Sequence, residues 1–124
     1  MATVTITNDD FKTTVEDNDI VLIDFWAEWC GPCKAFGPIY DKVSDDHDDV
    51  VFAKVDTDAQ QELAGSFGIR SIPTLMAFRD GVLVFSQAGA LPEASVANLI
   101  DQVKELDMDD VRRQIADHEA QRVS

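Results

Sequence analysis

The sequence predicts a single α/β domain, built on a central mixed five-stranded sheet flanked by helices, with an additional C-terminal helix. Three observations predict it. Val21–Ala27 and Val50–Asp56 are too continuously apolar for half-exposed strands and suit strands buried on both faces. The segment after the first of these places Phe36, Ile39, Tyr40 and Val43 at helical spacing. After Pro73 the pattern becomes two short strand-like runs joined by Arg79-Asp80-Gly81.

Taken in order, Thr3–Ile6 reads as a short edge strand, and a helix capped by Asn8 runs through Phe11 and Val15. The central strand covers 20–27, followed by a helix over about 31–46 that Pro38 should kink, with Gly37 easing the bend. A second buried strand spans 50–56. Asp58 then caps a helix holding Leu63 and Phe67, ending near Gly65 or Gly68. Thr74–Phe78 and Val82–Gln87 form a hairpin, because Asp-Gly tolerates the positive φ of a tight turn. A helix over 92–105 faces inward with Val96, Leu99, Ile100 and Val103. The order βαβαβ then ββα demands parallel pairs joined by right-handed crossovers, hence a mixed sheet with both faces covered.

At 124 residues the chain can build a core without disulfides or metals. Its formal net charge of −14 and pI near 4.2 argue against nucleic acid or an anionic membrane as a partner. Runs such as Asp45-Asp46-His47-Asp48-Asp49 read as solvated loops. With no window apolar enough for a membrane span and no secretory leader in Met1-Ala2-Thr3-Val4, a cytoplasmic location is expected. A monomer is also expected.

The only two cysteines stand in Trp29-Cys30-Gly31-Pro32-Cys33-Lys34, at the junction between the central strand and the next helix. Backbone N–H groups and the positive end of the helix dipole would stabilise a thiolate at Cys30, and Cys33, one turn in, is close enough to pair with it. Two alternatives were weighed against a redox site. Half a zinc site would need two further ligands, but His47 and His118 are 71 positions apart and lack metal-ligand spacing. A structural disulfide closing so short a loop would constrain little unfolded chain. Asp24 interrupts the buried strand among Val, Leu, Ile, Phe and Trp, so desolvation should raise its pKa until it serves as a base. Lys54 interrupts the second buried strand in the same way, either tuning Asp24 or merely pairing with it.

Beyond these readings, the chain resembles the thioredoxin family over roughly residues 3–106. The residues that match are Trp26 through Lys34, the embedded Asp24, Phe52-Ala53-Lys54-Val55-Asp56, Gly68-Ile69-Arg70-Ser71-Ile72-Pro73-Thr74 and Gly89-Ala90. The resemblance implies the thioredoxin fold over 1–106, leaving 107–124 as a helical extension opened by Asp107, Asp109 and Asp110. It implies that Cys30 attacks a partner's disulfide, Cys33 resolves the mixed disulfide, and Asp24 accepts the Cys33 proton through water. It further implies a cis bond before Pro73, support from Trp26, Gly31, Pro32 and Lys54, and a docking patch of Trp29, Ile72, Pro73, Gly89 and Ala90. No bound cofactor is implied beyond the redox-active pair. Electrons would come from NADPH through thioredoxin reductase, and the substrates would be disulfide-containing proteins.

The function expected is therefore a general protein disulfide reductase, and Gly31-Pro32 between the cysteines favours it over an oxidase or isomerase. The alternative is a binding or folding-assistance subunit with incidental redox activity, for which the 107–124 extension is the supporting feature.

Overall fold

The computed structural model describes residues 3–123. The start of the unit expected over 1–106 and the end of the extension expected over 107–124 thus lie outside the described residues. Ten elements follow one another: β1 (Thr3–Thr5), α1 (Phe11–Asp17), β2 (Ile20–Trp26), α2 (Gly31–Ser44), β3 (Val51–Asp56), α3 (Gln61–Ser66), β4 (Thr74–Arg79), β5 (Val82–Ala88), α4 (Glu93–Glu105) and α5 (Met108–Val123). The sheet order is β1-β3-β2-β4-β5. β1 and β2 run parallel to β3, whereas β4 is antiparallel to β2 and to β5. This is the mixed five-stranded sheet that the sequence predicts.

Strand alternation sorts the core into two layers. On one face Ile20, Leu22 and Phe52 pack with Phe36, Tyr40 and Val43 of α2 and Val96, Leu99, Ile100 and Val103 of α4. On the other, Val21, Ile23, Phe25, Ala53 and Val55 pack with Val15 and Phe11 of α1 and Leu63 and Phe67 near α3. By the same alternation, Asp24 and Lys54 share the face that α2 covers, which brings them to the helix bearing the cysteines.

Local differences from the sequence reading have local causes. The residue entering α1 is Asp10, not Asn8; its carboxylate accepts from the backbone N–H of Thr7, closing the turn ahead of the helix. Asp58 does not cap α3, which begins at Gln61; Asp56 organises the preceding turn by accepting from Asp58 N and Ala59 N. The hairpin turn is shorter than expected, because Arg79 belongs to β4 and only Asp80 (φ 52°) and Gly81 (φ 80°) occupy the positive-φ positions. Phe11 and Phe85 are half-buried, each packed against one of the two layers. α2 includes Pro38, as expected, and ends at Ser44 rather than near 46.

Arg79 ties the C-terminal end of the molecule together. Its Nη1 donates to the carbonyls of Val103 (2.7 Å), Lys104 (3.0 Å) and Leu106 (2.9 Å), satisfying the open end of α4. The chain then turns into α5, where Asp107 accepts from Asp110 N and Arg112 meets Asp80 of the hairpin at 3.3 Å. Between α5 and β5 an open groove of about 380 Å³ is lined by Leu83, Val84, Leu106, Val111 and Ile115, with His118 at its side. Replacing Arg79 by Met, which keeps the side-chain length but removes its donors, should lower stability by about 1.5–3 kcal/mol. Urea unfolding of the two proteins measures this directly.

Candidate active site

The site forms where β2 ends and α2 begins. Cys30 occupies the N-cap position of α2, and its sulfur accepts from Cys33 N at 3.2 Å. Gly31 and Pro32 supply the first helical residues; Pro costs nothing there, since that N–H has no intrahelical partner. Cys30 and Cys33 are disulfide-bonded with Cα atoms 5.2 Å apart, and each is 4% exposed. The sulfur position nonetheless borders a reachable surface, because Trp29 beside it is 70% exposed.

A second loop faces the cysteines. The Ile72–Pro73 bond is cis, and Cys30 Sγ lies 3.6 Å from the Ile72 carbonyl oxygen. In the disulfide form this is a contact without a donor; once reduced, a Cys30 S–H can donate across it. Gly89, at φ 102°, donates its N–H to Pro73 O at 2.8 Å and so ties the end of the β5 strand to the same loop. Trp29, Gly31, Pro32, Gly89 and Ala90 are exposed, Ile72 is half-buried and Pro73 is buried. Of the residues expected to form a docking patch, Trp29 adjoins Cys30 in the chain, Ile72 meets its sulfur and Gly89 is bonded to Pro73.

Asp24 lies inside. It is fully buried in the middle of β2, opposite Lys54 of β3 and Leu75 of β4, and neither carboxyl oxygen has a hydrogen-bond partner among the described residues. Burial pushes its pKa from 3.8 up to about 7; the Lys54 ammonium works against the rise and the Asp41 carboxylate adds to it. Lys54 is half-buried, with Nζ 5.2 Å from the centre of the Trp26 ring. Burial also raises the Tyr40 pKa well above its usual value, with the Asp24 charge adding to the effect; its hydroxyl donates to Ala53 O at 2.9 Å.

Two neighbours of the site escape sequence reasoning. Asp58, read from the sequence as a cap, instead accepts from Trp29 Nε1 at 2.9 Å and fixes the exposed indole. Asp41 is one more acid on an acidic helix, and only the packing of α2 over β2 and β3 brings its charge to Asp24. Among the described residues no group of three or more His, Cys, Asp and Glu could hold a metal ion, and no helix is long and apolar enough to cross a membrane.

A cysteine pair at a helix N-terminus, facing a cis-proline loop and backed by a buried carboxyl, is the apparatus of a dithiol–disulfide exchange protein. The Thioredoxin family model matches residues 2–102. A Streptomyces coelicolor protein bearing a thioredoxin name is 58% identical over 97% of this chain and 90% of its own length. Thioredoxin 1 of Synechococcus elongatus is 44% identical over 78% of this chain and 92% of its own. Among solved structures, a thioredoxin mutant from Halobacterium salinarum superposes with TM-score 0.78 at 35% identity, covering 84% of this chain and 92% of that one. A Malassezia sympodialis thioredoxin gives 0.74 at 39% identity, covering 83% and 95%. The chain belongs to the thioredoxin family, and its activity is that of a thioredoxin-type protein-disulfide oxidoreductase.

The raised Asp24 pKa makes stability depend on pH. A pKa that is higher folded than unfolded contributes stability that is complete below the unfolded value, here 3.8, and lost as pH rises through the folded value of about 7. Replacing Asp24 by Asn removes that loss. The advantage of Asp24→Asn over the parent should therefore grow with pH, by up to about 4 kcal/mol between pH ~4 and pH ~8.5. Urea unfolding of the two oxidised proteins across that range checks it.

Proposed function

We propose that this chain is a general protein disulfide reductase in which Cys30 is the nucleophile, Cys33 the resolving thiol and Asp24 the proton acceptor. The observation that carries the reading is the placement of Cys30 at the N-cap of α2, bonded to Cys33 and facing the Ile72 carbonyl. In the reduced protein the helix N-terminus favours the Cys30 thiolate. That thiolate attacks one sulfur of a substrate disulfide; the second substrate sulfur leaves as thiolate and takes a proton from solvent. Cys33 then gives its proton to the Asp24 carboxylate and attacks Cys30 Sγ. The mixed disulfide breaks, the 30–33 bond re-forms, and the substrate leaves with both of its sulfurs reduced. Two electrons have passed to the substrate.

The exposed Trp29, held by Asp58, and the backbone of Ile72 beside Pro73 support docking of an extended substrate segment by strand-like pairing, with Gly89 and Ala90 completing the patch. Trp26 and Lys54 tune the environment of Asp24, and Gly31 and Pro32 shape the helix start. The electron source is NADPH through a flavin-containing thioredoxin reductase, as is usual in this family. The protein works as a monomer in the cytoplasm, without a bound cofactor. Residues 1–106 form the thioredoxin unit and 107–124 an extension to it; the match to the Streptomyces relative runs on into that extension, over 97% of the chain. The groove between α5 and β5, with Leu83 and Ile115 each more than two-fifths exposed, favours a second role for the extension in holding a partner.

With a disulfide-bonded protein as substrate, Cys30→Ser should abolish reduction. Cys33→Ser should accumulate the covalent mixed disulfide, visible on non-reducing gels and by mass. Unchanged turnover in either variant would exclude the dithiol mechanism. Removing 107–124 should leave the reduction rate within about twofold, since the extension lies apart from the cysteines. Insulin turbidity assays read both effects, and a tenfold loss on truncation would assign the extension to the reductase itself.

A further inference from the structure

The buried side-chain atoms left without hydrogen-bond partners among the described residues are Asp24 Oδ1 and Oδ2, Trp26 Nε1 and Asp41 Oδ1. Asp24 and Trp26 neighbour one cation, Lys54, and Asp41 lies on the helix against which that cation rests. Lys54 is the register partner of Asp24 across β2 and β3, and its Nζ stands 5.2 Å from the Trp26 ring centre. The same Nζ lies 3.8 Å from where a Cβ on Gly37 would be, so the ammonium rests against bare helix backbone. Asp41 follows Gly37 by one turn of α2. Helical side chains lean toward the N-terminus, so the Asp41 carboxylate covers the turn at Gly37, where the ammonium lies. Cys33, Gly37 and Asp41 form one stripe at four-residue spacing, and the resolving thiol heads it.

We propose that Asp41 is a positioning residue for the resolving step: its carboxylate competes with Asp24 for the Lys54 ammonium and so leaves Asp24 free to take the Cys33 proton. The inference rests on the reading of Asp24 as proton acceptor. A lone lysine beside Asp24 would form a closed ion pair, and an acid held as an ion pair is a poor base. A second carboxylate one turn along α2 from where the ammonium rests would divide its field, in the same direction as the effect of Asp41 on Asp24. Glycine at 37 leaves the helix surface bare where the ammonium rests. The other groups facing Asp24 do not supply this charge. Tyr40 and Cys33 come from α2, β4 offers Leu75, and the inward residues of α4 are Val96, Leu99, Ile100 and Val103.

The test is a carboxyl-carbon NMR titration of Asp24 in the oxidised protein, with Asp41→Asn, Asp41→Ser as a second variant, and Asp46→Asn as a charge-matched control on the exposed end of the same segment. Asp41→Asn should lower the Asp24 midpoint by about 0.5–1 pH unit. Asp46→Asn should leave it in place. The pH profile of mixed-disulfide resolution should shift with the midpoint, and the Asp41 effect should vanish in an Asp24→Asn background. An unmoved midpoint in both Asp41 variants, or an equal shift from Asp46→Asn, overturns the proposal while the acceptor role of Asp24 stands. A midpoint that moves without the resolution profile following overturns the acceptor reading, and the proposal with it.

Discussion

A carboxyl buried at the centre of the sheet is the constraint on which the rest of the site depends. Asp24 occupies the middle of β2, the strand between β3 and β4, and is wholly shielded from solvent. An isolated acid in that position is expensive to ionise, and the fold answers by raising its pKa to about 7 rather than by satisfying its oxygens. Stability is thereby given up as pH rises through about 7, the range in which this carboxyl changes protonation state. Residues that break local consistency in this way mark functional sites, since a Leu at 24 would serve the core better.

The helix above Asp24 connects the two halves of the chemistry. α2 presents Cys30 and Cys33 at its first turn, where free N–H groups stabilise negative sulfur, and Phe36, Tyr40 and Val43 further on, which anchor it to the sheet. Because that anchoring face and the cysteines belong to one element, the packing of α2 holds the disulfide over β2. The cis-proline loop then arrives from β4, the strand beside β2, and Gly89 returns from β5 to fasten it. The cis-proline loop and the redox sulfurs are thus both fixed by the sheet.

At the opposite end of β4, Arg79 performs an unrelated task. One guanidinium nitrogen serves three carbonyls around the α4–α5 junction, so charge-assisted bonds add to the core packing that joins the hairpin to α4. α5 itself is mostly exposed along its length, with Met108 buried and Val111 half-buried as its main apolar anchors. The redox site thus rests on burial, whereas α5 is held by a short apolar anchor and surface polar contacts.

The periodic and punctuating features of the chain were legible before any coordinates. Apolar runs gave β2 and β3, helical spacing gave α2 and α4, Asp80-Gly81 gave the hairpin, and the Cys-x-x-Cys junction gave the reactive pair, because each is a property of neighbours in the chain. A buried acid was also visible as the odd residue in an apolar strand. What needed the folded structure were the meetings of distant residues: Trp29 with Asp58, Arg79 with the end of α4, and Asp41 with Asp24. Asp58 and Asn8 do not make the caps their residue types suggest, since local propensity names residues able to cap but not the turn in which the chain enters a helix. By itself the sequence determined the strands, the helices and the sulfur chemistry, through short-range pattern. Tertiary structure alone decided which charges share the buried field around Asp24, because Coulomb interactions depend on distances that chain separation does not encode.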